Sequence, residues 1–193
     1  MSAWEKDLVD PFLADVEDEQ VAALLEALAG AAVSPPRSLR DRIMASADLD
    51  GRFDRFLDSV AELLDVDSSR ARSLLDGIGR SESWYQGLVP DVKLYDIEGG
   101  PSVSNAITGF VRLPEGVSFP EHGHLGLETS YILQGSAEDN HGAIWRPGDV
   151  VVRASDHVHS FRARPGPDFL FLVVAQQGIK IGDLVLGPDD PRM

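Results

Sequence analysis

Two patterns of apolar positions divide the 193-residue chain. From Asp7 to Ala32 the residues Leu8, Phe12, Leu13, Val16, Val21, Leu24, Leu25 and Leu28 recur mostly at intervals of three and four, the stripe of an amphipathic helix or helix pair. Gly30 and the pair Pro35 and Pro36 end it. A second helix is expected from Arg37 to about Ala47. A third runs from Asp50 to Leu64, with Phe53, Phe56, Leu57, Val60, Leu63 and Leu64 on one face. Asp67, Ser68 and Ser69 offer cap oxygens for a short fourth helix ending near Gly77. Residues 1–87 therefore read as a helical segment.

After Leu88 the pattern changes to short apolar runs cut by Gly, Pro and Asp: VKLYDI, AITGFVRL, SYILQG, AIW, DVVVRA, VHSFRA, FLFLVVA and DLVLG. Eight short strands separated by turn signals fit a small antiparallel barrel or a double-sheet roll over residues 88–193. The whole is an α+β chain, helices first and strands second. The polar stretch from Arg80 to Pro90 is the expected linker, although Trp84 and Tyr85 within it imply packing.

Charge narrows the range of partners. Acidic residues outnumber basic ones 32 to 17, a net charge of -15, the opposite of a surface built to grip phosphate backbones. The helical segment carries 18 acids against 9 bases and the strand segment 14 against 8, so neither is a basic arm. There is no cysteine, which excludes disulfides, thiolate metal sites and cysteine nucleophiles. The N-terminus MSAWEKDLVDPF has acids where a signal peptide needs a basic and then an apolar run, and no stretch is apolar enough for a membrane span. These features predict a cytoplasmic protein with no direct nucleic-acid or membrane partner.

All five histidines fall in the strand segment, two of them in FPEHGHLGLETSYILQG. In an extended strand alternate residues share a face, so His122 and His124 project together, about 7 Å apart at the alpha carbons. Gly126 lets the chain turn, and Glu128 opens the next strand, beside the imidazoles if that strand pairs with the first. His159, after the run Val150 to Val152, is the natural fourth ligand, with His157 in reserve on the same face. Three imidazoles and one carboxylate suit one divalent transition metal per chain, zinc or iron ahead of nickel, copper or manganese. Ser130, Ile132 and Gln134 share the parity of Glu128, and Phe161 that of His159. These four would line the cavity beside the metal. Glu121 faces outward by the same alternation, and His141 in the turn DNHG reads as a solvated loop residue.

Gly116, His122, His124, Glu128 and Gly135 stand at the spacing of the first cupin motif without a mismatch. Of the second motif Gly148 and His159 are kept, while Ala154, Asp156 and Ala163 stand where proline, glycine and asparagine are usual. The chain thus resembles the cupins, which implies an RmlC-like jelly-roll β-barrel and the metal ligands His122, His124, Glu128 and His159. Over roughly Ala106 to Ile179, FPEHGHLGLETSYILQG, EDNHGAIWRPGDVV and HSF are similar to the ChrR-like cupins, among them zinc-dependent anti-sigma factors with a helical sigma-binding domain. In those proteins the helical domain has its own zinc site of His and Cys, whereas residues 1–121 here contain neither.

The resemblance implies a regulatory module: a metal-binding cupin fused to helices, sensing a small molecule or oxidant held in the barrel and signalling to a sigma factor. It also implies a homodimer. The alternative is a metal-dependent dioxygenase, isomerase or hydrolase acting on a small organic substrate, for which Gln134 and Ser130, and Tyr131 or Arg153 if the register turns them inward, are the polar groups available. A third reading confines the helices to capping or dimerising the barrel.

Overall fold

The computed structural model describes residues 51–190. The helices expected before Gly51 lie outside the described residues, and Leu49–Met193 make one compact unit. The described part begins with a single 3-10 turn at Asp54–Phe56, followed by α1 (Leu57–Leu64) and α2 (Ser68–Gly77). The expected helix from Asp50 is shortened to Leu57. Gly51 takes a left-handed φ of 102°, and the amides of Asp54 and Phe56 bond three residues back, to Gly51 and Phe53. The second helix starts as its sequence predicts: Asp67 Oδ1 accepts the Arg70 amide at 2.8 Å.

Twelve strands follow: β1 (Tyr85–Gln86), β2 (Lys93–Asp96), β3 (Ala106–Leu113), β4 (Ser118–His124), β5 (Glu128–Gln134), β6 (Ala137–Asp139), β7 (Ile144–Trp145), β8 (Val150–Arg153), β9 (Val158–Ala163), β10 (Phe169–Gln176), β11 (Ile179–Ile181) and β12 (Leu184–Leu186). They form two six-stranded antiparallel sheets, in the orders β1-β2-β3-β10-β5-β8 and β12-β11-β4-β9-β6-β7. The fold is the double-sheet jelly roll. Among the described residues no ladder joins the two sheets into a closed barrel. Four strands have no counterpart among the eight predicted apolar runs: β4, read as extended only from its histidine spacing, and the short β1, β6 and β11, in which two or three residues display little periodicity.

The core has two layers. Between the sheets lie Val111, Ile132, Trp145, Val151, Phe161, Phe169 and Phe171. On the other face of the first sheet, Tyr131, Leu133, Leu170 and Leu172 pack against Phe56, Val60, Leu64 and Leu74 of the helical layer. The rings of Phe56 and Tyr131 meet edge to face at 5.5 Å. Strand β10 is covered on both faces, which is why FLFLVVA reads as a continuous apolar run and not an alternation.

The segment expected as a linker is tied down. Trp84 Nε1 and Arg112 Nη2 both donate to the Ile78 carbonyl at the end of α2, at 3.0 and 2.8 Å. The Arg112 guanidinium lies 4.0 Å from the centre of the Trp84 ring. One backbone carbonyl thereby joins the last turn of α2, the approach to β1 and the middle of the sheet.

Candidate metal centre and its cavity

Strand β4 pairs with β9 so that His122 and His159 are direct cross-strand partners, with rings 4.4 Å apart. His124 lies two residues along on the same face, 5.1 Å from each of the other two rings. Glu128 arrives differently from the sequence expectation. Its strand β5 does not pair with β4; it pairs with β10 and β8 in the opposite sheet, and the turn at Gly126 carries the chain across. The crossing is tight: a Cβ at Gly126 would sit 2.6 Å from the Gln176 carbonyl oxygen. Glu128 therefore faces the imidazoles across the sandwich, its Oε2 3.1 Å from His124 Nδ1.

The four side chains are buried, and each offers a donor atom within 4.8 Å of those of the other three. This group could hold a metal ion. His157 lies outside it, its ring 5.4 Å from that of His159.

Hydrogen bonding supplies a test of fit. Buried polar atoms are nearly always partnered, yet both ring nitrogens of His124 and both of His159 lack a hydrogen bond. The approach of His124 to Glu128 is close but lacks the alignment of an N–H donor. His122 and Glu128 are oriented from outside the cluster: Nδ1 of His122 stands 2.9 Å from the Pro120 carbonyl, and Ser130 Oγ donates to Glu128 Oε1 at 3.1 Å. The first contact favours a proton on Nδ1 and leaves the Nε2 lone pair for a ligand.

Electrostatics agrees with this arrangement. Burial pushes His122 and His159 below the usual imidazole range, His159 to about 3. For Glu128 burial acts upward, but the neighbouring histidines outweigh it and hold the carboxyl below its ordinary value. At neutral pH the cluster presents lone pairs from His122 and His159 and an anionic oxygen, the protonation state that a divalent cation requires.

The surroundings differ on the two sides. On one, Arg153 stands over the Trp145 ring at 5.5 Å and bonds Asp139 Oδ2 at 3.2 Å. Asp139 also accepts the amides of His141 and Ala143, at 2.9 and 2.8 Å. Here register does turn Arg153 inward, whereas Tyr131 faces the helices. On the other side a cavity of about 70 Å³ opens next to His122 and Glu128. Phe161 is in its wall as expected, stacked on Phe119 at 5.3 Å. Ser130, Ile132 and Gln134 are not: Ser130 is turned to Glu128, Ile132 is in the inter-sheet core, and Gln134 bonds the Asp168 carbonyl. The wall comes instead from β3, β10, β11 and the hairpin between β1 and β2. Nothing in the hairpin's sequence marks it as cavity wall, since parity counting cannot reach across a loop.

Comparison with known proteins finds similarity over these residues. Residues 95–178 match the family profile described as the ChrR Cupin-like domain. The anti-sigma-E factor ChrR of Cereibacter sphaeroides is 25% identical over 172 residues, covering 85% of this chain and 76% of that protein. The dimethylsulfoniopropionate lyase DddQ of Ruegeria pomeroyi is 32% identical over 97 residues, 48% of each chain, so the match spans about half of that lyase. The crystal structure of Rhodobacter sphaeroides SigE in complex with the anti-sigma ChrR aligns with a TM-score of 0.47 at 22% identity, over 82% of this chain and 81% of that one.

Proposed function

We propose that this chain, whose residues 95–178 are a ChrR-like cupin domain, is a metal-dependent regulatory protein that passes a small-molecule or oxidant signal to a sigma factor. The observation that carries the reading is the extent of the likeness to an anti-sigma factor, 85% of this chain, which takes in helical segment and cupin alike. In this division residues 1–87 are the partner-facing helical segment and residues 88–193 the metal-binding domain. The acidity of both halves would steer a basic partner surface toward them.

His122, His124 and His159 would hold the metal together with Glu128, with zinc placed first and iron, nickel or manganese as alternatives that the same ligand set also suits. When bound, the ion would supply a cross-link between the sheets and a Lewis-acidic centre at the cavity wall. The chain's own residues do the rest. Pro120 and Ser130 orient His122 and Glu128. The hairpin walling the cavity follows directly on Trp84, which grips the end of α2, so a ligand that displaces the hairpin acts on the seat of the helices. Val150 and Val152, each more than half exposed on the edge strand β8, support a homodimer.

Co-purification of the protein with extracytoplasmic-function sigma factors of its own organism, in metal-loaded and metal-stripped forms, tests the reading. A complex that depends on the metal state is expected, and absence of binding in both states would end it. The match to the lyase DddQ over about half of this chain supports a second reading, a metal-dependent enzyme. Turnover of a small organic substrate by the metal-loaded protein would establish that alternative.

A further inference from the structure

We infer that the cavity beside His122 and Glu128 selects a small, uncharged molecule with an apolar body and rejects organic anions. This deepens the regulatory reading and rests on its metal site.

The cavity wall carries no lysine or arginine; His122 and Glu128 are its polar members, and aliphatic and aromatic side chains such as Val111, Phe171 and Val173 make up the remainder. A carboxylate or phosphate placed there would leave water without gaining a partner. The inward cation nearest the site, Arg153, does not compensate. It does not line this cavity, and it is engaged with Asp139 and Trp145. A divalent metal ion would attract an anion, but Glu128 in the same wall cancels one of its two charges and weakens that pull. A neutral oxygen donor meets neither obstacle. The volume of about 70 Å³ limits the body to a handful of heavy atoms. The hairpin residues Leu88 and Val89 form part of the wall, so the size of that body bears on the segment leading back to Trp84.

The test is isothermal titration of the full-length protein, zinc-loaded and metal-free, with 2-pentanone and with butyrate, isosteric molecules that differ in charge. The ketone is expected to bind the zinc-loaded protein at least about tenfold more tightly than butyrate. Val173→Phe, which fills the cavity, should abolish ketone binding, and Ile181→Phe at the half-buried rim serves if the first variant does not fold. Butyrate binding as tightly as the ketone, neither probe binding, or ketone binding undiminished in a folded filling variant would each overturn the inference. Zinc content measured on the same samples separates this from the metal reading. If no zinc is held, the metal site fails, while the order of the two probes on the metal-free protein still decides the character of the cavity.

Discussion

His122 and His159 face each other directly across the β4–β9 ladder, rings 4.4 Å apart, although they come from strands far apart in sequence. Side chains opposed in this way are held by the backbone register itself, so this pair needs no loop to bring it together, whereas Glu128 reaches it over the turn at Gly126. What remains adjustable is the orientation of each ligand, which depends on partners outside the cluster.

The hydroxyl of Ser130 is one such partner, donating to Glu128 Oε1. Ser130→Ala is expected to weaken zinc binding by about tenfold to a hundredfold while leaving the fold intact. Competition with a chromophoric chelator measures this. Unchanged affinity would show that Ser130 does not orient Glu128.

Asp139, on the Arg153 side of the cluster, predicts a pH effect of its own. Burial acts to raise its carboxyl, but the amides of Ala143 and His141 and the charge of Arg153 outweigh it and hold the group below the usual carboxylate range. The unfolded chain therefore takes up this proton first as the solution is acidified. The carboxylate's contribution is complete above about pH 4 and is lost as pH falls through the depressed folded value. Asp139→Asn should cost about 2 kcal/mol at pH 7, and urea midpoints should show the gap from the parent narrowing below pH 4.

The Ile78 carbonyl receives two donors, and the two can be removed separately. Trp84→Phe keeps an aromatic face for Arg112 and loses one hydrogen bond, for an expected cost of about 1 kcal/mol. Arg112→Lys keeps the charge but loses the planar guanidinium that stacks on the ring and is expected to cost at least as much. Chemical denaturation of both variants checks the order. If the clamp couples the helices to the cavity, Trp84→Phe also alters sigma-factor binding while metal content stays constant.

Much of this architecture was legible in the sequence, and the gaps have physical causes. Helix α2 with its Asp67 cap, the long strands, and the alternation that turns His122 and His124 the same way are local properties, written within a few residues. The convergence of His159 on them was legible from its place after the run Val150 to Val152 and from motif spacing. The path of Glu128 was not, because whether β5 pairs beside β4 or crosses to the other sheet depends on the close passage of Gly126 by Gln176, a contact distant in sequence. The cavity wall was misread for a related reason. Parity places Ser130, Ile132 and Gln134 on one face, but hydrogen bonding turns Ser130 and Gln134 elsewhere, and the hairpin after Trp84 supplies wall that no strand periodicity reveals.

The central claim is that His122, His124, Glu128 and His159 hold one metal ion. Elemental analysis of the purified protein alongside His122→Ala, His159→Ala and His141→Ala tests it most directly. The account predicts about one ion per chain in the parent and in His141→Ala, and loss of the ion in the other two variants. A parent without metal, or metal retained in full by His122→Ala and His159→Ala, would contradict it.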